Sequence, residues 1–171
     1  DSLAPYFARL EGQEQQLYTD DPSVLNAALA NLEEVRNHPD FSDATRNVRI
    51  FILLNCGAAY SRRHDLLGQP ADLNQAVVIW QQALALSPSR ALTRLVLLKN
   101  LSGAFRLRFA RTRDGADLDR ALHLAEEAVR KSKKRATDRA VYLDELGSVL
   151  LARYDRGRSD ALGDLNRAID L

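Results

Sequence analysis

The chain of 171 residues is poor in several features, and each shortage excludes a class of protein. It has one cysteine, Cys56, so it has no internal disulfide, and a reducing compartment, the cytoplasm, is predicted. The formal net charge is only +1, which provides no overall attraction to nucleic acid or to an anionic membrane. No apolar run approaches the roughly 20 residues that a membrane-spanning helix needs. No signal peptide is recognisable after Asp1.

Methionine is absent, and the chain ends at Leu171 within a helical pattern. We therefore expect it to be part of a longer protein, in which a flanking effector domain could lie outside this segment. Apolar residues make up 46% and charged residues 27%, a composition that indicates a folded chain. The length suits one domain. We predict that residues 1–171 form a single helical-repeat domain.

A pattern that returns after 45 residues is the strongest signal in the sequence. Ten positions of residues 49–83 carry the same residue type 45 positions later. A partial third copy follows, and the element Asp-Leu-x-x-Ala occurs three times. A period of this size is typical of repeat proteins, in which each unit buries its apolar face only against its neighbours. The ten pairs are Arg49/Arg94, Leu53/Leu98, Asn55/Asn100, Ala59/Ala104, Arg63/Arg108, Ala71/Ala116, Asp72/Asp117, Leu73/Leu118, Ala76/Ala121 and Ala83/Ala128.

The apolar residues recur at helical spacing. From Leu92 to Phe109 they follow one another at intervals of three or four, which places them on one face of an α-helix. No sustained alternation with a period of two indicates a strand. We predict an all-α fold, a right-handed solenoid of four antiparallel hairpins, with repeats at about 3–37, 43–86, 89–131 and 136–171. The eight predicted helices are Leu3–Tyr18, Pro22–Asn37, Asp43–His64, Asp72–Leu86, Ser89–Ala110, Asp117–Lys131, Ala136–Tyr154 and Leu162–Leu171.

Acidic residues mark the predicted starts of several helices. Asp21 precedes Pro22, the arrangement of an N-cap followed by a first helical residue. Asp72, with Gln75 three residues on, has the pattern of a capping box. Its repeat equivalents, Asp117 and Asp164, are expected to cap their helices in the same way.

The repeats resemble the tetratricopeptide family, in which paired helices carry a Leu-Gly, a nearby aromatic residue and helix-B alanines. The greater length resembles a longer form with Arg-aromatic-x-Arg-Thr-Gly before Asp-Leu-x-x-Ala, and the segments 108–113 and 153–157 follow that motif. Repeats of this longer form often adjoin caspase-like (CHAT) protease domains or signalling NTPase domains. The Leu-Gly positions here are Cys56-Gly57, Leu101-Ser102 and Leu146-Gly147, and the aromatic positions are Tyr60, Phe105 and Leu150.

The resemblance implies a concave groove, lined by the first helix of each repeat, that binds a peptide or a partner helix. The groove would be basic in the middle and acidic toward the C-terminus, which favours an extended ligand of mixed charge. A solvated face without a partner would carry the same residue types. The groove positions map to Asn55, Ser61, Arg62, Lys99, Asn100, Arg106, Asp144, Glu145 and Ser148.

Arginines recur at equivalent positions of successive repeats and form two columns, Arg49/Arg94/Arg139 and Arg63/Arg108/Arg153. For both columns we favour a structural role. Their aliphatic stems would cover the core, and their guanidinium groups would pair with carboxylates or helix-end carbonyls. A basic ladder along one edge is the alternative.

The run Arg130–Arg135 follows a helix C-terminus, where cations are favoured. We interpret this run as a solvated turn, and contact with nucleic acid is the alternative.

The residues that could carry catalysis are few and scattered. His38, His64 and His123 stand far apart, and Cys56 occupies a core position of the repeat. No metal-ligand spacing, phosphate-binding loop or nucleophile motif is present in the sequence. We therefore predict a non-enzymatic protein–protein interaction module, a scaffold or a regulatory segment, without cofactor or metal.

Two other functions remain open from the sequence. The arginine-rich surface, with Arg106, Arg111 and Arg113, could bind nucleic acid, although this is the less favoured partner. Alternatively, the open C-terminal repeat, with Leu165 and Ile169, could stack on a second copy and form a homo-oligomer.

Overall fold

The computed structural model of the protein describes residues 13–132 and 139–156, together with Gly163 and Asn166. Within these residues all regular secondary structure is helical, which confirms the predicted all-α class. The chain divides into two compact units, unit 1 (Asp1–Ser87) and unit 2 (Pro88–Leu171). In the same described part of the chain, no helix combines the length and apolarity that crossing a membrane requires.

The described part of unit 1, residues 13–87, contains three α-helices and two short 3₁₀ helices. Helices α2 and α3 are joined by only two residues and pack against each other, and α1 packs on α2. The first 3₁₀ helix packs on both α1 and α2. The bounds are Gln13–Tyr18 (3₁₀), Pro22–Arg36 (α1), Pro39–Asp43 (3₁₀), Arg46–Leu67 (α2) and Pro70–Leu86 (α3).

Unit 2 contains α4 (Leu92–Thr112), α5 (Gly115–Lys131) and α6 (Arg139–Asp155) in its described part. Helices α4 and α5 are again joined by two residues, and α6 packs on both of them. The predicted last helix, Leu162–Leu171, lies outside the described residues except for Gly163 and Asn166.

The ends of α1 and α2 follow from local capping. Asp21 Oδ1 accepts a hydrogen bond from Ser23 N at 2.8 Å, which confirms Asp21 as the N-cap of α1. The predicted start of α2 at Asp43 is three residues too early, because Pro39–Asp43 forms its own 3₁₀ turn and Thr45 is the N-cap. At the other end, Gly68 has φ 66°, a left-handed conformation that glycine adopts without steric penalty.

The predicted N-caps Asp72 and Asp117 are wrong. Helix α3 begins at Pro70 with Gln69 as its N-cap residue, and α5 begins at Gly115 with Asp114 as its N-cap. Asp114 Oδ1 accepts from Ala116 N at 3.0 Å. Asp72 and Asp117 both lie at the third helical position, where their carboxylates pair with arginines instead of capping the helix. The third predicted cap, Asp164, lies outside the described residues.

The predicted first helix, Leu3–Tyr18, is also wrong where the structure describes it, because residues 13–18 form a 3₁₀ helix. Residues 1–12 lie outside the described part. In unit 2, α4 begins at Leu92, three residues after the predicted Ser89.

Most repeat positions predicted to be apolar core are buried in both units, but Leu92, the first residue of the predicted apolar face, is 73% exposed at the start of α4. Leu53 and its equivalent Leu98 are 3% and 0% exposed, and Cys56 and Leu101 are 0% and 1% exposed. A core built in this way stabilises each unit mainly through buried apolar surface. Other pairs that are buried in both copies are Ala59/Ala104, Leu73/Leu118, Ala76/Ala121 and Ala83/Ala128.

Candidate functional site

Each unit contains one interhelix Arg–Asp pair with almost the same geometry. In unit 1, Arg63 at the end of α2 donates from Nε to Asp72 Oδ2 at 2.7 Å and from Nη2 to Oδ1 at 2.6 Å. In unit 2, Arg108 makes both bonds to Asp117 at 2.6 Å. The two aspartate side chains are only 4% and 2% exposed. These are two-point, charge-assisted bonds, the strongest kind that the two side chains can form.

Both pairs are reinforced by their surroundings. Arg63 lies 5.2 Å from the ring centroid of Tyr60, and Arg108 lies 5.1 Å from that of Phe105, within the range of cation–π attraction. The carboxylate hydrogen bonds raise the pKa of Arg63 and of Arg108 above the ordinary arginine value. The predicted pairing with a carboxylate is therefore confirmed for Arg63 and Arg108, two of the three members of this column.

The second arginine column is used differently at each position. Arg94 Nη2 donates to Glu127 Oε1 at 3.4 Å. Arg139 Nη1 donates to Val129 O at 2.7 Å and lies 2.8 Å from Ser132 Oγ, so it binds the carbonyl end of α5. For these two residues the predicted pairing with a carboxylate or a helix-end carbonyl is confirmed. Arg49, the unit 1 member, has no such partner in the described residues.

The basic run is described only at its start. Arg130 and Lys131 are exposed, and Lys131 Nζ lies 3.4 Å from Ser89 O and 3.5 Å from Glu127 Oε1. Residues 133–135 lie outside the described part. Of the other arginines named for nucleic acid, Arg111 and Arg113 are exposed at the end of α4, and Arg113 is its C-cap residue.

In unit 2, two predicted groove residues form an ion pair. Arg106 of α4 donates from Nε to Glu145 Oε1 of α6 at 3.2 Å and from Nη2 to Oε2 at 3.4 Å. Glu145 is buried, and the buried hydroxyl of Ser102 can donate either to Glu145 Oε1 at 3.1 Å or to Ala121 O at 3.0 Å. The two charges therefore neutralise each other where α4 meets α6.

The other predicted groove residues of unit 2 remain accessible. Asp144 is exposed, and Lys99, Asn100 and Ser148 are partly exposed. Neither Lys99 nor Asp144 forms an ion pair within the described residues of unit 2. Within the described residues, the charges of Lys99 and Asp144 are thus not used in an ion pair, whereas those of Arg106 and Glu145 pair with each other.

In unit 1, the predicted groove residues are partly occupied by the chain itself. Arg62 Nη2 pairs with Asp20 Oδ1, and Arg62 Nε donates to Thr19 O at 3.3 Å. The segment that these bonds hold against α2 also buries Leu17. Asn55 Nδ2 donates to the carbonyl of Phe51 within α2 at 3.1 Å, and Ser61 is partly exposed.

Cys56, predicted to occupy a core position, lies in the core and is not accessible for chemistry. Its side chain is buried, and this burial raises the pKa of the thiol to about 12, so the reactive thiolate is scarce at neutral pH. His64 is partly buried, and its Nδ1 lies 2.8 Å from Gln69 O at the end of α2. Among the described residues, no three His, Cys, Asp or Glu side chains are grouped so that they could hold a metal ion.

Two features of these contacts were missed from the sequence. The first is the identity of the carboxylates that pair with Arg63 and Arg108. The sequence could have indicated them, because an aspartate follows each arginine after nine residues, across a loop, in both copies. The second is the contact of Ser102 with Glu145, which the sequence could not have indicated, since 43 residues separate them and serine occupies a position where the family has glycine.

Comparison with family models, curated proteins and solved structures finds no match to this chain. The resemblance to tetratricopeptide repeats therefore stays a prediction that depends on the residue pattern alone.

Proposed function

We propose that this chain is a non-catalytic protein-interaction module, built as a right-handed solenoid of tetratricopeptide-like repeats. It binds an extended peptide or a partner helix on a concave face. Its place is in the cytoplasm, as a scaffold or as the regulatory segment of a larger protein. It needs no cofactor.

One observation carries this proposal. Groove residues that the resemblance assigns to two successive repeats lie on α4 and α6 of unit 2, and these helices contact each other. The pair between Arg106 and Glu145 connects them at 3.2 Å. A binding surface made from adjacent helices in this way gives a ligand contacts with two repeats at once, which supports recognition of an extended segment.

Groove charges without a partner in the described part of unit 2 indicate the kind of ligand. Arg106 and Glu145 pair with each other, so we expect the charges of Lys99 and Asp144 to select the partner. We therefore expect a peptide that presents an acidic group to Lys99 and a basic group to Asp144. Charged residues at the rim of an interface contribute mainly to specificity and to the rate of association.

The experiment selects peptides from a random phage-displayed library on the immobilised chain and measures their Kd by fluorescence anisotropy. Lys99→Glu is the groove variant, and Arg130→Glu on α5 is the matched control, because it makes the same change of charge at an exposed site. We expect Lys99→Glu to weaken binding roughly tenfold and Arg130→Glu to leave it unchanged. Equal loss in both variants, or the absence of any enriched peptide, would contradict the proposal.

The same two variants separate this function from nucleic-acid binding. A labelled single-stranded RNA and a duplex DNA are titrated at increasing salt. Binding that falls steeply with salt and is lost in Arg130→Glu, but not in Lys99→Glu, would favour the nucleic-acid alternative.

A further inference from the structure

The two units differ in the residue that faces the arginine of the column Arg49/Arg94/Arg139. Arg49 and Arg94 are 45 residues apart, and so are Gln82 and Glu127. In unit 2 the pair is ionic, with Arg94 Nη2 at 3.4 Å from Glu127 Oε1. In unit 1 the corresponding carboxylate is replaced by the neutral amide of Gln82.

Among the described residues, Arg49 has no anionic partner. Its buried Nε atom has no hydrogen-bond partner there, and no ion pair of this side chain is found in the same part of the chain. A buried donor without an acceptor is unfavourable, and more so when it belongs to a charged group. The site therefore favours an acceptor that the described residues do not provide.

Arg49 and Gln82 both line an open cavity of about 450 Å³ in unit 1. Phe41, Leu53 and Leu86 provide apolar parts of its lining. The second cation in its lining, Arg36, is already paired with Glu33 Oε2 at 2.6 Å. A cation with no ion pair in the part of the chain that the structure describes, beside apolar walls and in a volume of this size, suits a small molecule with one negative charge.

We propose that this cavity binds a small aliphatic carboxylate. Its carboxylate accepts hydrogen bonds from Arg49 and from the Gln82 amide, and so takes the role that Glu127 has in unit 2. Its aliphatic part packs on Phe41, Leu53 and Leu86. A monoanionic carboxylate is preferred to a phosphate dianion because one free guanidinium provides one positive charge and a planar two-point donor. This site is separate from the proposed groove.

The test uses hexanoate as the probe and hexanamide as its neutral isostere. Both are titrated into the ¹⁵N-labelled chain, and the Nε–H resonance of Arg49, assigned by its loss in Arg49→Gln, is followed by NMR. We expect a saturable shift with hexanoate and binding roughly tenfold weaker for hexanamide, because only hexanoate forms the charge-assisted bonds.

The variant Gln82→Glu supplies the missing carboxylate from within the chain. Gln82 is exposed on α3, so the substitution does not disturb the core. It is expected to raise Tm and to abolish the hexanoate shift. The matched variant Glu127→Gln in unit 2 is expected to lower Tm and to leave the shift of Arg49 unchanged.

Several outcomes would overturn the proposal. They are equal binding of hexanoate and hexanamide, a hexanoate shift that persists in Gln82→Glu, and no shift at all. A capped peptide, N-acetyl-Ala-Glu-Ala-amide, tests the other source of a carboxylate. Binding of this peptide without binding of hexanoate would assign the cavity to a partner chain and reject a small ligand.

Discussion

The two pairs of adjacent helices, α2–α3 and α4–α5, share their Arg–Asp ion pair but fill the space between their helices differently. The Arg–Asp pair is the same in both within about 0.1 Å. At the middle of the contact, unit 1 has Gly57 against Trp80, and the equivalent residues of unit 2 are Ser102 and Ala125. We therefore expect the shared ion pair to hold the two helices in a similar arrangement in both units, and the filling between them to be interchangeable.

In unit 1 the indole occupies the space that a side chain at position 57 would need. A Cβ atom built on Gly57 would lie 2.7 Å from Cε2 of Trp80, which is closer than real contacts allow. The indole also donates from Nε1 to Leu54 O at 3.1 Å. In unit 2 the small Ala125 leaves room for the Ser102 hydroxyl, which reaches Ala121 O and Glu145. A large residue facing a small one therefore fills the contact in unit 1, and two small residues with a polar bridge fill it in unit 2.

The largest expected effect comes from removing the indole. Trp80→Ala should lower the free energy of unfolding by about 3–5 kcal/mol, because it opens a cavity between α2 and α3. Urea denaturation followed by far-UV circular dichroism measures this loss. Adding Gly57→Ser to Trp80→Ala copies the filling of unit 2 and should recover part of the loss. If the double variant is less stable than Trp80→Ala alone, the two fillings are not interchangeable.

A smaller loss is expected when the ion pair is broken. Asp117→Asn and Asp72→Asn should each destabilise the protein by roughly 2–3 kcal/mol, because each leaves a guanidinium without its two-point acceptor. Thermal and urea denaturation provide the measurement. A double-mutant cycle with Arg108→Gln isolates the pairwise energy in unit 2. Losses that differ strongly between Asp72 and Asp117 would show that the pairs are not equivalent despite their shared geometry.

The smallest expected effect concerns the residue after α2 and after α4. Gly68 has φ 66° and Arg113 has φ 60°, so the same left-handed position is occupied by glycine in one unit and by arginine in the other. Gly68→Ala should destabilise by about 1 kcal/mol through the backbone alone, since nothing lies within 4 Å of the added Cβ. Arg113→Gly should stabilise by a similar or smaller amount. An unchanged Tm in both variants would show that the residue at this left-handed position does not affect stability in either unit.

Much of the helical core could be predicted from the sequence, because apolar spacing of three or four is a local property and occurs in two nearly complete copies. The structural use of Arg63 and Arg108 was predictable for the same reason. The N-cap of α1 was predicted, but those of α3 and α5 were not, since an aspartate near a helix start suits both an N-cap and an ion pair. Which of the two forms depends on whether an arginine of the preceding helix reaches it.

The candidate site was less predictable than the core. Glu145 was expected on an open face but is buried, because Arg106 and Ser102 provide its partners from 39 and 43 residues away. The isolation of Arg49 likewise depends on Gln82, on another helix. Contacts of this kind are set by how helices meet, and helical periodicity does not report them. The groove as a binding surface remains a prediction.

Trp80 has one further consequence, for spectroscopy. It is the only tryptophan of the chain, and it is buried in unit 1 at 3% exposure. Its fluorescence therefore follows the environment between α2 and α3, while circular dichroism follows the helices of both units. Unfolding curves recorded with both signals on one sample would coincide for a single cooperative transition and separate for two, so the natural sequence already contains the probe that distinguishes them.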